Sequence, residues 1–196
     1  MKFTALLVAV FLGCVESHQL FPPQYGRCIS IHNRIEAADI PLKADIRYLN
    51  QATDSGKVEA KTEKMFPIPT TMMYWYTPGY FINITSFDTF TTGVSGVYHC
   101  AGGICLNVVN FTEYPFKSSV TYADGMRKSA EVQALSTAVF SSRVDHVTGY
   151  VVPPVLNVTI TYSQGETEYP ADIVEKTCKL DENMIKMMQG SLMHTH

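Results

Sequence analysis

Val155-Leu156-Asn157-Val158-Thr159-Ile160-Thr161-Tyr162 is the most regular stretch of the chain. The apolar side chains of Leu156, Val158, Ile160 and Tyr162 recur at every second position, which is the period of a half-buried β-strand. The alternation predicts that these four side chains face a core and that the intervening ones face water.

Similar short apolar segments flank this stretch and are separated by turn signals. We predict strands at 27–32, 44–49, 71–76, 94–99, 118–122 and 144–152, with two more around Asn83 and Asn110. Turns are predicted at 54–56, 77–79, 124–125 and 163–165, where Gly, Pro, Asp or Ser occur together. Many short strands at such intervals are typical of a sandwich or barrel.

Two segments also fit a helix. Residues 129–141 fit a helix and a strand equally well, whereas 181–189 has a capping Asp181, an apolar face and a terminating Gly190. No internal repeat or linker is evident. We therefore predict a mainly β protein: a single antiparallel β-sandwich or barrel-like domain over residues 18–196, with a short C-terminal helix.

The composition excludes several classes of protein. The chain has 196 residues, of which 17% are charged and 46% hydrophobic, and a formal net charge of −3. This apolar and aromatic content is too high for a disordered chain. No cluster of Lys and Arg is present to hold nucleic acid, and heptads of a coiled coil are absent.

The first residues resemble a secretion signal. Lys2 precedes an apolar run over 5–13, and Val15 and Ser17 stand at the two positions that signal peptidase inspects. We therefore predict a signal peptide at 1–17, whose removal takes Cys14 with it. The run is too short to cross about 30 Å of hydrocarbon. No other segment is long and apolar enough, so we expect a secreted, extracellular protein without a membrane span.

Three sequons agree with secretion. Asn83, Asn110 and Asn157 each begin an Asn-x-Ser/Thr motif and are predicted to carry N-linked glycans. If each of these asparagines faces water, the side chains at odd-numbered distances from it along the strand face the core. These are Leu156, Val158, Ile160 and Tyr162 near Asn157; Tyr80, Ile82 and Ile84 near Asn83; and Cys105, Asn107, Val109 and Phe111 near Asn110, where the pattern leaves the register open.

The four cysteines of the mature chain predict two disulfides in an oxidising compartment. Three connectivities are open, and we favour Cys100–Cys105 across a Gly-Gly turn together with Cys28–Cys178. A zinc site would need a further ligand, so no metal is expected.

The densest aromatic segment lies in the first half of the chain. Its members are candidate binding residues: Tyr74, Trp75, Tyr76, Tyr80 and Phe81. Trp and Tyr are common in binding hot spots, but the same run also fits a buried pair of strands.

The segment Ser95-Gly96-Val97-Tyr98-His99-Cys100 resembles the tyrosine corner of immunoglobulin-type domains, where a Tyr precedes a strand cysteine. The resemblance covers these residues alone, and Trp75 does not follow Cys28 at the spacing of that family. A lipocalin-like barrel would have a suitable size. The Gly-x-Trp signature of lipocalins is missing, however, because Gly26 is followed by Arg27 and Cys28.

No catalytic motif is found, since nucleophile elbows, zinc-binding helices and phosphate loops are all lacking. His99 and the pair Asp145-His146 are the remaining acid–base candidates. We expect a secreted, N-glycosylated, disulfide-bonded binding protein that engages an extracellular protein or glycan, without cofactor or catalytic residues. The alternatives are a lipocalin-like carrier of a small apolar ligand and a small secreted hydrolase.

Overall fold

The computed structural model describes residues 25–36, 40–49, 51–69, 80–86, 90–101, 103–164, 167–182 and 185. Antiparallel strands dominate these residues, as predicted. The strands are β1 (Tyr25–Asn33), β2 (Leu42–Tyr48), β3 (Thr53–Val58), β4 (Glu63–Pro67), β5 (Tyr80–Ser86), β6 (Phe90–Ser95), β7 (Tyr98–Cys100), β8 (Gly103–Asn110), β9 (Phe116–Tyr122), β10 (Arg127–Val132), β11 (Thr137–Ser141), β12 (Arg143–Val144), β13 (Val151–Val152), β14 (Pro154–Gln164) and β15 (Thr167–Lys179).

Two large sheets form the molecule. The first sheet has the order β10-β9-β14-β15-β1-β4, and the second has the order β11-β8-β6-β5-β2-β3, with β7 beside β8. A separate hairpin pairs β12 with β13. The inner faces of both large sheets contribute to one apolar core, which includes Ile31, Ile82, Val108 and Val158. Two layers that share a core give a sandwich-like layout.

The alternation in β14 positions its side chains as predicted. Leu156, Val158, Ile160 and Tyr162 are all buried in the core. The same holds in β5, where Tyr80, Ile82 and Ile84 are buried and the residues between them are partly exposed.

The inward face predicted for β8 is wrong. Leu106, Val108 and Asn110 are buried, whereas Phe111 is 48% exposed and Val109 is only partly buried. The assumption that Asn110 faces water assigned the wrong set of alternating residues to the core. Asn110 is instead buried among hydrogen-bonding groups.

The helix alternative for 129–141 is also wrong. These residues form parts of β10 and β11, joined by a turn in which Leu135 has a φ of 51°. The predicted strand at 144–152 is in fact the β12–β13 hairpin. In the predicted helix at 181–189, the N–H of Ile185 donates to the carbonyl of Asp181 at 3.0 Å. The rest of this helix lies largely outside the described residues.

The chain follows the same path twice, although no repeat was predicted. A first unit, residues 26–100, and a second unit, residues 103–178, match strand by strand outside the β12–β13 hairpin. The matches are β1 with β8, β2 with β9, β3 with β10, β4 with β11, β5 with β14, and β6 plus β7 with β15. If β6 and β7 are counted as one strand, each sheet contains four strands of one unit. The other two strands of each sheet are the first and fourth strands of the other unit. The two units are therefore interlocked.

Equivalent hydrogen bonds confirm the match. The hydroxyl of Tyr48 donates to the carbonyl of Pro67 at 3.1 Å, and that of Tyr122 donates to Ser141 at 3.0 Å. The positive φ of Lys61, 60°, corresponds to that of Leu135. The sequence similarity is confined to short stretches such as Leu42–Tyr48 against Phe116–Tyr122.

Both disulfides have the predicted pairing and join the two units. Cys28–Cys178 and Cys100–Cys105 have Cα–Cα distances of 5.8 and 5.9 Å. In the strand registers, Cys178 lies opposite Gly26 and Cys100 lies opposite Gly103. The two bridges are thus equivalent, and each links the start of one unit to the end of the other. This pairing differs from the immunoglobulin pattern, because Cys100 bonds to the neighbouring strand of its own sheet.

Candidate functional site

A cleft of about 410 Å³ opens between the two sheets, where β1 begins and β15 ends. Most of its lining is aliphatic or proline. The lining includes Arg27, Val97, Ile104, Pro154, Leu156 and Glu175. A volume in this range is typical of small-ligand sites.

The two disulfides flank this cleft. Arg27 directly precedes Cys28, and Ile104 directly precedes Cys105. Glu175 and Val97 each lie three positions before the other cysteine of a bridge. Because both bridges cross-link the strands that carry the lining, the walls are held in place before any ligand arrives.

A polar cluster occupies one wall. Arg27 forms an ion pair with Glu175, and the hydroxyl of Tyr80 donates to Glu175 Oε2 at 3.0 Å from the opposite sheet. The Glu175 side chain is 12% exposed and that of Arg27 is 48% exposed. Burial, followed by the neighbouring Glu175 carboxylate, raises the pKa of Tyr80 well above its usual value, so its hydroxyl stays protonated and donates.

Both carboxylate oxygens of Glu175 are engaged. Oε2 accepts from the Tyr80 hydroxyl, and Oε1 is fully buried and faces Arg27 in the ion pair. Arg27 carries five N–H donors, of which the described contacts use those facing Glu175. The cluster therefore offers a polar group in the cleft the remaining N–H donors of the half-exposed Arg27.

Sequence reasoning missed Arg27 and Glu175. Arg27 lies on the same face of β1 as the buried Ile29 and Ile31. Glu175 lies on the same face of β15 as the buried Ile173. A charged residue at an inward position of a strand is the signal that identifies both, since isolated charges are seldom buried.

The aromatic candidates are only partly described. Tyr74, Trp75 and Tyr76 lie outside the described residues. Tyr80 is buried and belongs to the polar cluster, and Phe81 is partly buried on the outer face of β5. The Phe81 ring covers Gly93, where an added Cβ would lie 2.3 Å from its Cζ atom. Phe81 thus packs on the sheet, which accounts for an aromatic at an outward position.

The sequon asparagines differ in their surroundings. Asn83 and Asn157 are partly exposed on their strands. Asn110 is 1% exposed, and its Nδ2 donates to the carbonyls of Tyr114 and Val132 at 2.7 and 3.1 Å. Its Oδ1 accepts from the N–H and the hydroxyl of Thr112. Both amide hydrogens of Asn110 are thus in use.

The acid–base candidates do not converge. His99 and His146 are exposed, and neither is among the residues that line the cleft between the two sheets. Asp145 accepts from the N–H of Val147 and the hydroxyl of Thr148, and these bonds lower its pKa. Its carboxylate therefore shapes the β12–β13 turn. The hydrolase alternative gains no support from these positions.

The described residues contain no cluster of three or more His, Cys, Asp or Glu side chains able to hold a metal ion. The same residues form no helix with the length and hydropathy needed to cross a membrane.

The β12–β13 hairpin presents an exposed apolar tip beside the cleft. Val147 is 93% exposed, Tyr150 74% and Val151 61%. The hairpin is anchored by the ion pair of Arg143 with Asp124. Its second strand leads directly into Pro154 of the cleft wall.

The chain matches no protein-family model and no curated protein.

Proposed function

We propose that this protein is a secreted, disulfide-bonded binding protein that holds a small, largely apolar ligand in the cleft. The observation that carries the proposal is the cleft itself, whose lining includes residues of both sheets on strands that the two disulfides cross-link. The aliphatic lining of Val97, Ile104 and Leu156 favours an apolar ligand body. Both bridges suit an oxidising, extracellular setting.

Binding of an uncharged apolar dye tests the proposal. N-phenyl-1-naphthylamine should become fluorescent with the wild-type protein. Ile104→Trp, which fills the cleft, should weaken the dye's binding at least about tenfold through loss of the space it occupies. Val139→Trp is the matched control, because Val139 is 54% exposed on β11 of the same sheet. Thermal unfolding curves verify that both variants are folded.

Two results would reject this function. One is a wild-type protein that does not bind the dye under native conditions. The other is an equal effect of the two tryptophan variants. Native mass spectrometry of protein purified from its own extracellular fluid would then identify what, if anything, the cleft carries.

A second candidate function is contact with an extracellular protein, favoured by the exposed tip of the β12–β13 hairpin. Projecting Val and Tyr side chains are typical of interaction sites. The double variant V147D/Y150D should reduce affinity for a partner recovered from the extracellular fluid and then purified, at least about tenfold. An unchanged affinity excludes the hairpin as the contact.

A further inference from the structure

The two large sheets end in four edge strands, which differ in their protection against pairing with another chain. The edges of the first sheet are β10 and β4, and those of the second are β11 and β3. Unpaired backbone groups on an edge bind further strands unless charged side chains or proline oppose it. Three of the edges carry such residues, which are Asp54 and Lys57 in β3, Glu63, Lys64 and Pro67 in β4, and Arg127, Lys128 and Glu131 in β10. The sequence of β11, Thr-Ala-Val-Phe-Ser, has neither charge nor proline.

The strand β4 provides an internal comparison, because it occupies in the first unit the place that β11 occupies in the second. The first cysteine of each unit fixes the match, since Cys28 lies opposite Pro67 and Cys105 lies opposite Ser141. The fold therefore accepts charge and proline at this edge. The equivalent outward positions of the two edges are Glu63/Thr137, Met65/Val139 and Pro67/Ser141.

The backbone of β11 has hydrogen-bonding groups on its free side. The N–H of Asn110 donates to the carbonyl of Ser136, so the even-numbered residues of this segment bond to β8. In an antiparallel pair the residues between them direct their N–H and C=O groups away from the partner strand. These residues are Thr137, Val139 and Ser141, and all three are exposed.

We propose that a second copy of the chain binds to β11, with the two strands antiparallel about a two-fold axis at Val139. Val139 then lies opposite the same residue of the second copy, and Thr137 lies opposite Ser141. Each opposed pair can form two backbone hydrogen bonds, because the groups of all three residues face the same edge. The Ser141 carbonyl accepts from the Tyr122 hydroxyl at 3.0 Å and keeps a second lone pair for this contact.

The charge distribution favours a second copy as the occupant. A two-fold axis brings each central side chain against itself, so a charged residue there would face the same charge. Val139 is uncharged and 54% exposed, and its pairing with a second Val139 covers apolar surface on both copies. Arg143, the first charged residue after β11, is balanced by its ion pair with Asp124. Each copy uses this edge once, so the assembly closes as a dimer.

Sedimentation equilibrium of the disulfide-bonded protein tests the proposal. The wild type should form dimers with a Kd below about 100 µM. Val139→Lys places like charges on the axis and should weaken dimerisation at least about tenfold. Met65→Lys is the matched control, because it makes the same change at the equivalent position of β4 and should leave the Kd unchanged. The double variant T137E/S141P, which gives β11 the charge and proline of β4, should also weaken dimerisation at least about tenfold.

A cysteine at the axis tests the register and does not require a charged variant to fold. Opposed residues of a hydrogen-bonded antiparallel pair have Cα atoms about 5.5 Å apart, within the range of a disulfide. Val139→Cys should therefore form a disulfide-linked dimer on mild oxidation. Thr137→Cys is the control, because its own copy would lie about 13 Å away along the strand. Peptide mapping verifies that Cys28–Cys178 and Cys100–Cys105 remain intact.

A wild-type protein that stays monomeric up to about 1 mM overturns the proposal. So does a dimer that Val139→Lys leaves unchanged or that Met65→Lys weakens equally, and so does equal cross-linking of the two cysteine variants. A monomer whose β11 edge binds an extended peptide of a different protein would likewise exclude the second copy as the occupant. None of these results depends on dye binding, so the ligand-binding function stands or fails separately.

Discussion

Asn33 and Asn110 occupy equivalent places at the ends of β1 and β8. Nδ2 of Asn33 donates to the carbonyls of Ile40 and Val58 at 2.9 and 3.1 Å, matching the bonds of Asn110. Each Oδ1 accepts from the backbone N–H two residues further on. Each side chain therefore holds a connection and the edge of the opposite sheet in place.

We predict that Asn110→Ala and Asn33→Ala each lower the free energy of unfolding by about 2–4 kcal/mol. Both changes leave buried carbonyls and N–H groups without partners, and such groups are costly. Urea denaturation measures the loss, and Asn157→Ala on the partly exposed face of β14 should change stability by under about 0.5 kcal/mol.

The same contacts predict the glycan pattern. A glycan on Asn110 would replace an amide hydrogen that is already donated within the fold. Peptide mapping of the protein expressed through a eukaryotic secretory pathway should therefore find Asn110 unmodified, whereas Asn83 and Asn157 remain predicted glycan sites. Full occupancy at Asn110 in folded protein would contradict this assignment. A sequon defines three residue types but not their burial, which is why the motif alone misplaced Asn110.

The turns that join β3 to β4 and β10 to β11 are built alike. Lys61 and Leu135 both have positive φ, and Thr62 and Ser136 both donate a side-chain hydroxyl to the carbonyl three residues earlier, Glu59 and Gln133. Leu135 is 73% exposed, so its side chain adds little packing to offset the backbone strain.

We predict that Leu135→Gly raises the free energy of unfolding by up to about 1 kcal/mol, because glycine adopts positive φ without a Cβ penalty. Ala134→Gly, at a neighbouring position without positive φ, should instead lower stability. Thermal denaturation of both variants measures the difference. A loss of stability in Leu135→Gly equal to that in Ala134→Gly would show that the turn is not strained.

At the scale of elements, side-chain periodicity predicted strands well where one face is buried, as in Leu156 to Tyr162. It failed at 129–141, because a turn at Leu135 breaks the run and apolar residues on two short strands imitate helical spacing. The repeat was missed for a related reason. Equivalent core positions need only similar apolar volume, so Leu42 matches Phe116 and Ile46 matches Val120 without identity.

The whole molecule consists of two interlocked units that share both sheets, and this arrangement depends on contacts distant in sequence. Pairing of β1 with β15 brings Tyr25 beside Lys179, from opposite ends of the described chain. Spacing alone left three cysteine connectivities open. The inter-unit pairing of both bridges follows only from the strand order.

The two disulfides are equivalent in place and differ in the loop that each closes. The sequence separation is 150 for Cys28–Cys178 and 5 for Cys100–Cys105. Restriction of the unfolded chain depends on this separation, and the chain-entropy model assigns about 5 kcal/mol to the long loop and about 2 kcal/mol to the short one. Each bridge lies beside an equivalent glycine, and Cys28–Cys178 also packs against Leu180, which adds to the difference in the same direction.

We therefore predict that C28S/C178S destabilises the protein by about 3 kcal/mol more than C100S/C105S does, the difference between the two loop entropies. Guanidinium denaturation of the two double variants, each retaining the other bridge, measures this difference. Equal losses would mean that the bridges act through their contacts in the folded state rather than through the unfolded chain. Because both bridges also hold the cleft walls, dye binding to the folded variants separates the two effects: loss of a bridge that orders the cleft weakens binding, whereas a purely unfolded-state effect leaves it unchanged.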